Sequence, residues 1–263
     1  MENKEINIIS DIKEKDEVLA RSYNDLLYFG RAFLPADFLN KSSSPVFHEE
    51  VGKKLIDTRP GARICNILPR GFGKSILSKA AILHKIVFSP QGHRQFIAWV
   101  AEEQGQAIDH LKYVKSHLEY NDSIRYYFGN LAGDSVGNRW TEKDIVTSKG
   151  DRLIAKGTSQ RLRGRTEIDV RYTGIILDDF ESELNTKTPE RRAEIKKWIV
   201  STVFPALEES PGREGWIWLC GTIVHYDSFL QMVCDGSRKA KEDQQTSLTI
   251  MLQWSEVTFW FFL

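Results

Sequence analysis

A glycine-containing turn near residue 70 has the residues of a phosphate-binding loop. Residues 68–75 read Leu-Pro-Arg-Gly-Phe-Gly-Lys-Ser, and they stand between a short apolar run and a segment with helical character. In a strand–turn–helix context, the backbone N–H groups of such a turn and the N-terminus of the helix face a polyphosphate. Lys74 would then bridge the outer phosphates, and the Ser75 hydroxyl would hold Mg²⁺.

The turn departs from the usual pattern at its first position, where Leu68 replaces a glycine. Arg70 lies inside the loop and could reach the γ-phosphate in cis. The alternative interpretation is a chance Gly-x-Gly-Lys turn on a surface loop, but the flanking strand and helix patterns favour nucleotide binding. The predicted nucleotide-binding residues of this loop are Arg70, Gly71, Phe72, Gly73, Lys74 and Ser75.

A second chemical signal is an apolar run, Ile175-Ile176-Leu177, that ends in two carboxylates. A buried strand delivers its C-terminal residues to the edge of an α/β sheet where ligands bind. Asp178 would coordinate Mg²⁺ directly or through water. Asp179 could deprotonate the attacking water, and Glu181 is an alternative base on the same side of an extended segment. The non-functional alternative is a strand that ends in a solvated acidic turn.

Two further segments could contribute to the same site. Thr222 follows the apolar run 216–220, and a hydroxyl at that strand tip could sense the γ-phosphate; alone, it would be a simple Gly-Thr turn. The segment 156–165 holds Lys156, Arg161, Arg163 and Arg165 with no acid. Such a loop could supply an arginine finger or bind nucleic-acid phosphates. The non-functional alternative is a basic loop exposed to solvent.

Phe47 and His48 open a predicted helix upstream of the first strand. An aromatic and a polar side chain there could stack on and hydrogen-bond an adenine. On residues alone, a core phenylalanine beside a surface histidine is the favoured interpretation.

Composition leaves the class of partner open. The chain has 263 residues with 36 Lys+Arg and 36 Asp+Glu, so its formal charge is zero and any basic surface must be local. Its three cysteines have no CxxC spacing, which favours a reducing environment over a disulfide framework. The six histidines show no metal-binding spacing, so a zinc enzyme is not expected. There is no apolar signal core and no membrane-length apolar run.

Apolar strands alternate with helical patterns through most of the chain, which predicts an α/β fold with a mostly parallel sheet covered on both faces. Predicted strands cover 62–68, 96–100, 173–177 and 215–220, and predicted helices cover 23–38, 75–87, 102–120 and 188–202. A Gly-Asp pair between short apolar runs predicts a hairpin over 145–155, while 121–138 reads as turns. We expect an N-terminal helical arm (1–40), a main domain (41–235) and a C-terminal segment (236–263) whose bulky apolar end is a strand facing an absent domain or an abnormal truncation.

Taken in order, these motifs resemble the ATPase half of a tailed-bacteriophage terminase large subunit, the motor that packages DNA into proheads. The resemblance covers roughly residues 28–230 and rests on four segments: 69–75, 159–165, 175–181 and 219–222. In that family the first loop glycine is commonly missing and an arginine stands four residues before the lysine, as Arg70 does here. The resemblance implies a three-layer P-loop NTPase of the ASCE/RecA-like type that hydrolyses ATP with Mg²⁺.

The resemblance also implies roles for individual residues. Lys74 and Ser75 would contact phosphates and Mg²⁺, and Asp178 would bind the metal. The catalytic acid falls on Asp179, where many relatives have Glu, so the choice between Asp179 and Glu181 stays open. Thr222 matches the coupling motif, and Arg163 or Arg165 would be the finger supplied by a neighbour in a ring. Phe47 and His48 fall where an aromatic–Gln pair contacts adenine.

The resemblance implies double-stranded DNA, a portal protein and a small terminase subunit as partners, a homo-oligomeric ring, no membrane, and work in the host-cell cytoplasm. Members normally continue into a nuclease domain that nothing after Gly221 supplies, so DNA cleavage by this chain is not expected. The alternatives are a helicase or translocase of another P-loop family, and a truncated remnant that binds nucleotide without turnover.

Overall fold

The computed structural model describes residues 2–38, 45–90, 92–133, 139–162, 171–243 and 256–259. The described helices are α1 (Glu2–Asn24), α2 (Leu26–Phe33), α3 (Pro35–Phe38), α4 (Val46–Ile56), α5 (Lys74–Val87), α6 (Gln104–Tyr120), α7 (Asp122–Phe128), α8 (Pro189–Trp198) and α9 (Phe229–Asp243). The described strands are β1 (Arg63–Ile67), β2 (Phe96–Ala101), β3 (Asp144–Val146), β4 (Arg152–Gly157), β5 (Gly174–Asp178), β6 (Trp216–Gly221) and β7 (Glu256–Phe259).

The seven described strands form one sheet in the order β3-β4-β2-β5-β6-β1-β7. Every neighbouring pair is parallel except β3 and β4, which form an antiparallel hairpin at one edge. Strand β6 therefore lies between β1 and β5, and their carboxyl ends meet along one edge of the sheet. The predicted hairpin and the mostly parallel sheet are confirmed.

Helices cover both faces of this sheet, which gives three layers. Because side chains alternate along a strand, Ile97 and Trp99 of β2 pack into a core with α2, α4, α5 and α6, while Ala98 and Val100 pack into a second core on the other face. The second core includes Ile195 of α8 and residues of α9. Strands buried on both faces explain the near-continuous apolar runs in the sequence.

The N-terminal segment breaks where its own side chains cap a new helix. The sequence pattern predicts one helix over 23–38, but Asp25 accepts hydrogen bonds from the N–H groups of Leu27 and Tyr28 and begins α2 there. Residues of α2 lie in the same core as α4 and α5. Helix α4 begins at Val46, one residue later than predicted, with Pro45 as its N-cap; the predicted cap Ser44 lies outside the described residues.

Other boundaries differ from the prediction as well. Helix α8 begins at its predicted cap, Thr188, but after Trp198 it continues as a π-helical turn (Ile199–Val203) and a 3₁₀ turn (Phe204–Ala206). Helix α7 lies where only turns are predicted, since Asn121 accepts from the N–H of Ile124 and caps it. Residues 256–259 form the edge strand β7 beside β1, and the apolar residues 260–263 lie outside the described part. Within that part, no helix is long and apolar enough to cross a membrane.

Candidate functional site

The turn between β1 and α5 needs both of its glycines for their backbone conformation, and it needs Gly73 for close packing as well. Gly71 and Gly73 have positive φ angles of 81° and 76°, in the left-handed region that favours glycine. A Cβ at Gly71 would meet nothing within 4 Å, so the requirement there is conformational. A Cβ at Gly73 would also lie 3.3 Å from His48 Nε2. Gly73 is the N-cap of α5 and offers no side-chain acceptor, so the first N–H groups of that helix remain available to an anion.

Lys74 is held in place by three acceptors. Its buried ammonium donates hydrogen bonds to the carbonyls of Leu68 and Pro69, each with an N···O distance of 3.1 Å, and to the Thr222 hydroxyl at 3.0 Å. Thr222 in turn donates to the Leu68 carbonyl over 2.9 Å. Lys74 Nζ also lies 4.0 Å from Asp179 Oδ1. The lysine therefore joins the tips of β1, β5 and β6.

Asp178 ends β5 as a buried carboxylate whose oxygens are unsatisfied. Neither oxygen makes a well-formed hydrogen bond within the described residues, and His110 Nε2 lies 3.4 Å from Oδ2. Burial, followed by the charge of Asp179, raises the pKa of Asp178 to about 7. The nearby Ser75 hydroxyl, whose contact with the carboxylate falls short of good hydrogen-bond geometry, and the charges of Lys74 and Lys79 oppose that increase. A buried carboxylate with free acceptors is costly unless a cation or a proton satisfies it.

This arrangement fits a small hard cation. The Asp178 carboxylate and the Ser75 hydroxyl are oxygen donors of the kind that Mg²⁺ prefers. No group of three His, Cys, Asp or Glu side chains that could hold a metal occurs in the described part of the chain. A cation held by Asp178 and Ser75 would therefore need its remaining ligands from water or from a bound molecule.

Asp179 and Glu181 point to different surroundings. Asp179 has a positive φ of 42°, and its side chain is 53% exposed beside Lys74. Glu181 is buried: its two oxygens accept from the N–H groups of Phe229 (2.7 Å) and Leu230 (3.0 Å) at the start of α9. Burial raises the pKa of Glu181, and these two hydrogen bonds oppose the increase. The predicted extended segment with both acids on one side is therefore wrong, because the backbone turns at Asp179.

The Phe47–His48 pair packs against the phosphate-binding loop. Phe47 and His48 are both buried, and His48 Nε2 donates to the Phe72 carbonyl over 2.9 Å. The ring centroids of Phe47 and Phe72 are 5.8 Å apart. The favoured interpretation of His48 as a surface histidine is therefore wrong. Its hydrogen bond instead fixes the carbonyl that precedes Gly73.

The arginines near the site are described only in part. Arg70 is exposed in the loop and has no hydrogen-bond or ion-pair partner among the described residues. Arg161 is also exposed, and its neighbour Gln160 is anchored through its carbonyl by Trp198 Nε1 over 3.0 Å. Arg163 and Arg165 lie outside the described residues.

The sequence patterns give no indication of His110. It lies on α6, where its ring stacks on Trp99 at a centroid distance of 5.0 Å and an interplanar angle of 27°. Burial lowers the pKa of His110 to about 4, so it is neutral beside Asp178. Its position on the helix face that also buries Ala107, Leu111 and Val114 is typical of a core residue, and no motif marks it.

No protein-family model matches the sequence, and no curated protein shows significant similarity to it. What the site does must therefore follow from its own residues and their arrangement.

Proposed function

We propose that this chain is the ATP-hydrolysing motor domain of a terminase large subunit, with the ASCE/RecA-like P-loop NTPase fold that its motifs resemble. The observation that carries the proposal is the convergence of Lys74, Asp178 and Thr222 at the tips of β1, β5 and β6. The strand order supports the finer fold, since a loop-bearing strand, a hydroxyl-bearing strand and an acid-bearing strand are neighbours in the sheet.

The loop binds the triphosphate through the residues that already surround Lys74. The free N–H groups at the start of α5 face the phosphates, and Lys74 exchanges its carbonyl acceptors for phosphate oxygens. Ser75 and Asp178 hold Mg²⁺, which neutralises charge on the phosphate oxygens when bound. The unsatisfied oxygens of Asp178 support this assignment.

Asp179 is the better candidate for the catalytic base. Its carboxylate is exposed and lies 4.0 Å from the Lys74 ammonium, so a water molecule can approach both the acid and the phosphate site. Both oxygens of Glu181 are already bound to the backbone of α9. Glu181 therefore holds the β5 loop against α9, and Asp179 accepts the proton of the attacking water.

Arg70 and an arginine from a neighbouring subunit share the task of stabilising the transition state in this proposal. Arg70 is exposed in the loop and not engaged by any described residue, which leaves it available to the γ-phosphate. The finger in trans would be Arg163 or Arg165 in a homo-oligomeric ring. The partners in this proposal are double-stranded DNA, a portal protein and a small terminase subunit, in the host-cell cytoplasm.

The site assignment is tested by ATP hydrolysis in three variants. Lys74→Ala should abolish turnover, and Asp179→Asn should reduce kcat about 10²–10⁴-fold. Asn is the right replacement at position 179, because it tolerates the left-handed backbone better than Ala does. Lys112→Ala is the matched control, since Lys112 is a surface residue paired with Glu142 over 3.1 Å. Retained turnover in the Lys74 variant would overturn the assignment.

Binding and movement need their own measurements. A thermal-shift titration with ATP and Mg²⁺ should raise the Tm of the wild-type chain; stabilisation without phosphate release would instead indicate a nucleotide-binding remnant. Translocation is tested by ATP-dependent displacement of a third strand from duplex DNA, with Asp179→Asn as the inactive control. ATP hydrolysis without displacement would retain the ATPase and remove the motor assignment.

A further inference from the structure

A cavity of about 340 Å³ opens at the amino ends of the parallel strands, where β5 and β6 begin, on the side of the sheet away from the phosphate-binding loop. Thr173, which precedes β5, and Trp216, which begins β6, form one side. The last turn of α5, with Lys85, forms another. Lys85 follows Lys74 by eleven residues on the same helix, a rise of about 16 Å, so this cavity is separate from the site at the carboxyl edge.

Lys85 places a cation in this cavity, and its ammonium has no hydrogen-bond acceptor within the described part of the chain. Its ammonium lies 5.5 Å from the ring centroid of Trp216 and 5.7 Å from that of Trp218. No described residue accepts a hydrogen bond from it or pairs with it. The aromatic faces offset part of the desolvation of the charge, but they do not replace hydrogen-bond acceptors for its three N–H donors. Burial lowers the pKa of Lys85 to about 8, against the opposing charge of Asp57.

Carbonyls at the ends of α4 and α5, near the cavity, accept hydrogen bonds from side chains other than Lys85. Lys149 Nζ donates to the carbonyls of Val87 (2.8 Å) and Ser89 (3.0 Å) at the C-terminus of α5. The Thr58 hydroxyl donates to Leu55 O over 2.7 Å at the end of α4. Side chains other than Lys85 thus bind these carbonyls at the ends of the two helices.

The rim of the cavity adds two more cations. Arg94 and Arg213 are exposed there, and neither has a hydrogen-bond acceptor among the described residues. The rim also carries the carboxylates of Asp57 and Glu214. With Lys85, the three positive and two negative side chains leave a net charge of +1 when the two lining histidines are neutral. The cavity therefore has more cationic side chains, which are hydrogen-bond donors, than carboxylates that could pair with them.

We propose that this cavity is a second binding site, for a small organic molecule that carries a phosphate or carboxylate group. The oxyanion accepts hydrogen bonds from Lys85, with Arg94 and Arg213 at the mouth, and the apolar part of the molecule lies against Trp216 and Phe88. The cavity volume is within the range of small-molecule sites. The site does not depend on the proposed ATPase activity.

Labelling with pyridoxal 5′-phosphate tests the proposal on the intact wild-type chain. Its aldehyde condenses with the Lys85 amine and releases water, and borohydride then reduces the imine to a stable secondary amine that peptide mapping locates. Because the phosphate binds first, the rate at Lys85 should saturate with reagent concentration, and inorganic phosphate or benzoate should slow it. Peptide mapping separates this reaction from any at Lys74. Lys112 is the control, with a linear rate that neither anion changes.

The combined variant Arg94→Gln, Arg213→Gln should weaken the apparent affinity for the reagent at Lys85 by roughly twofold to fivefold, as expected for exposed charges. Both side chains are exposed, so the fold should persist, and Lys112→Gln should leave labelling of Lys85 unchanged. A linear rate at Lys85, or labelling that neither anion slows, would overturn the proposal. Protection by duplex DNA but not by phosphate or benzoate would also overturn it, because the occupant would then be a macromolecule.

Discussion

The Lys74 ammonium donates to the Thr222 hydroxyl over 3.0 Å, although the two residues lie on different strand–loop units and 148 positions apart. The same hydroxyl donates to the Leu68 carbonyl over 2.9 Å. The tip of β6 is thereby bonded to both ends of the phosphate-binding loop. A phosphate that draws Lys74 toward itself must loosen the contact with β6.

Replacing Thr222 by Val should remove the side-chain hydrogen bonds between the tips of β1 and β6 while keeping the side-chain volume. The variant leaves Lys74 and Leu68 each with one hydrogen bond fewer, so the free energy of unfolding should fall by about 1–2 kcal/mol. We also expect a lower rate of ATP hydrolysis. Urea denaturation and an ATPase assay measure the two effects. Thr222→Ser retains the hydroxyl and should behave as the wild type; equal losses in both variants would remove the role of the hydroxyl.

The Asp178→Asn variant should change how stability depends on pH. The pKa of Asp178 is raised to about 7 in the folded chain, so between about pH 4 and pH 7 the folded state keeps a proton that the unfolded state has released. Stability therefore falls as pH rises through this window. Asn removes this term, so urea titrations at about pH 8 without Mg²⁺ should show a variant at least as stable as the wild type.

The same variant should lose the stabilisation that ATP and Mg²⁺ give to the wild type, because its amide is a poor ligand for the cation. Lys112→Ala is the control for both measurements, since Lys112 is a surface residue paired with Glu142. A variant that is destabilised in the absence of Mg²⁺ would show that the carboxylate has a partner within the fold.

Glu181→Gln should lower the free energy of unfolding substantially but change kcat only slightly. The amide can accept from one of the two backbone N–H groups of Phe229 and Leu230 and places its own NH₂ against the other, so we expect a loss of about 2–3 kcal/mol. Turnover per folded molecule should stay within about tenfold of the wild type, far above that of Asp179→Asn. Urea denaturation and kcat at saturating ATP distinguish the two roles. Full stability with no turnover would instead make Glu181 the base.

Acid should destabilise the fold through His84. Its buried Nε2 contacts the carbonyls of Ser22 (3.1 Å) and Tyr23 (3.0 Å), and burial lowers its pKa from 6.5 to about 4. Between these values the unfolded state binds a proton that the folded state does not, so stability falls as pH drops from about 6.5 to about 4. In His84→Gln the slope of the free energy of unfolding against pH should decrease in this range by up to about 1.4 kcal/mol per pH unit.

The measurement for His84 is a set of urea titrations across that range, with the same variant at about pH 7.5 as its internal control. There the wild-type and variant slopes should agree, because His84 is neutral in both states. An unchanged slope below pH 6.5 would assign the acid sensitivity to other groups; His110, whose pKa is lowered in the same direction, is the first of these.

Local patterns predict those parts of the fold that local residues determine. The strand that ends at Asp178 and the helix that begins at Lys74 follow from apolar runs and turn glycines. Helix α9 was not predicted, although Ser228 accepts from the N–H of Gln231 at its start. Its other cap is Glu181, 48 residues earlier than Phe229. A partner so distant in sequence leaves no local pattern.

In the candidate site, too, local motifs predict some features and miss those that depend on residues distant in sequence. The residue types near Lys74, Asp178 and Thr222 could be read from motifs, because each follows a recognisable apolar strand. The choice between Asp179 and Glu181 as the base could not be predicted from the sequence. It depends on the backbone turn at Asp179, where φ is 42°, and on which groups each side chain contacts. The burial of His48 was missed for a related reason, as its partner, Phe72 O, is a backbone atom.

The cap that Glu181 forms on α9 has a mechanical consequence. Because one side chain binds the first two N–H groups of the helix, the segment after β5 and the start of α9 must move together. Helix α9 is 15 residues long, so it extends about 22 Å from that attachment. A tilt of about 5° at the cap would displace its far end by about 2 Å. Asp179, the proposed catalytic base, is two residues from Glu181, so a shift of the backbone at Asp179 is linked through this cap to the position of α9.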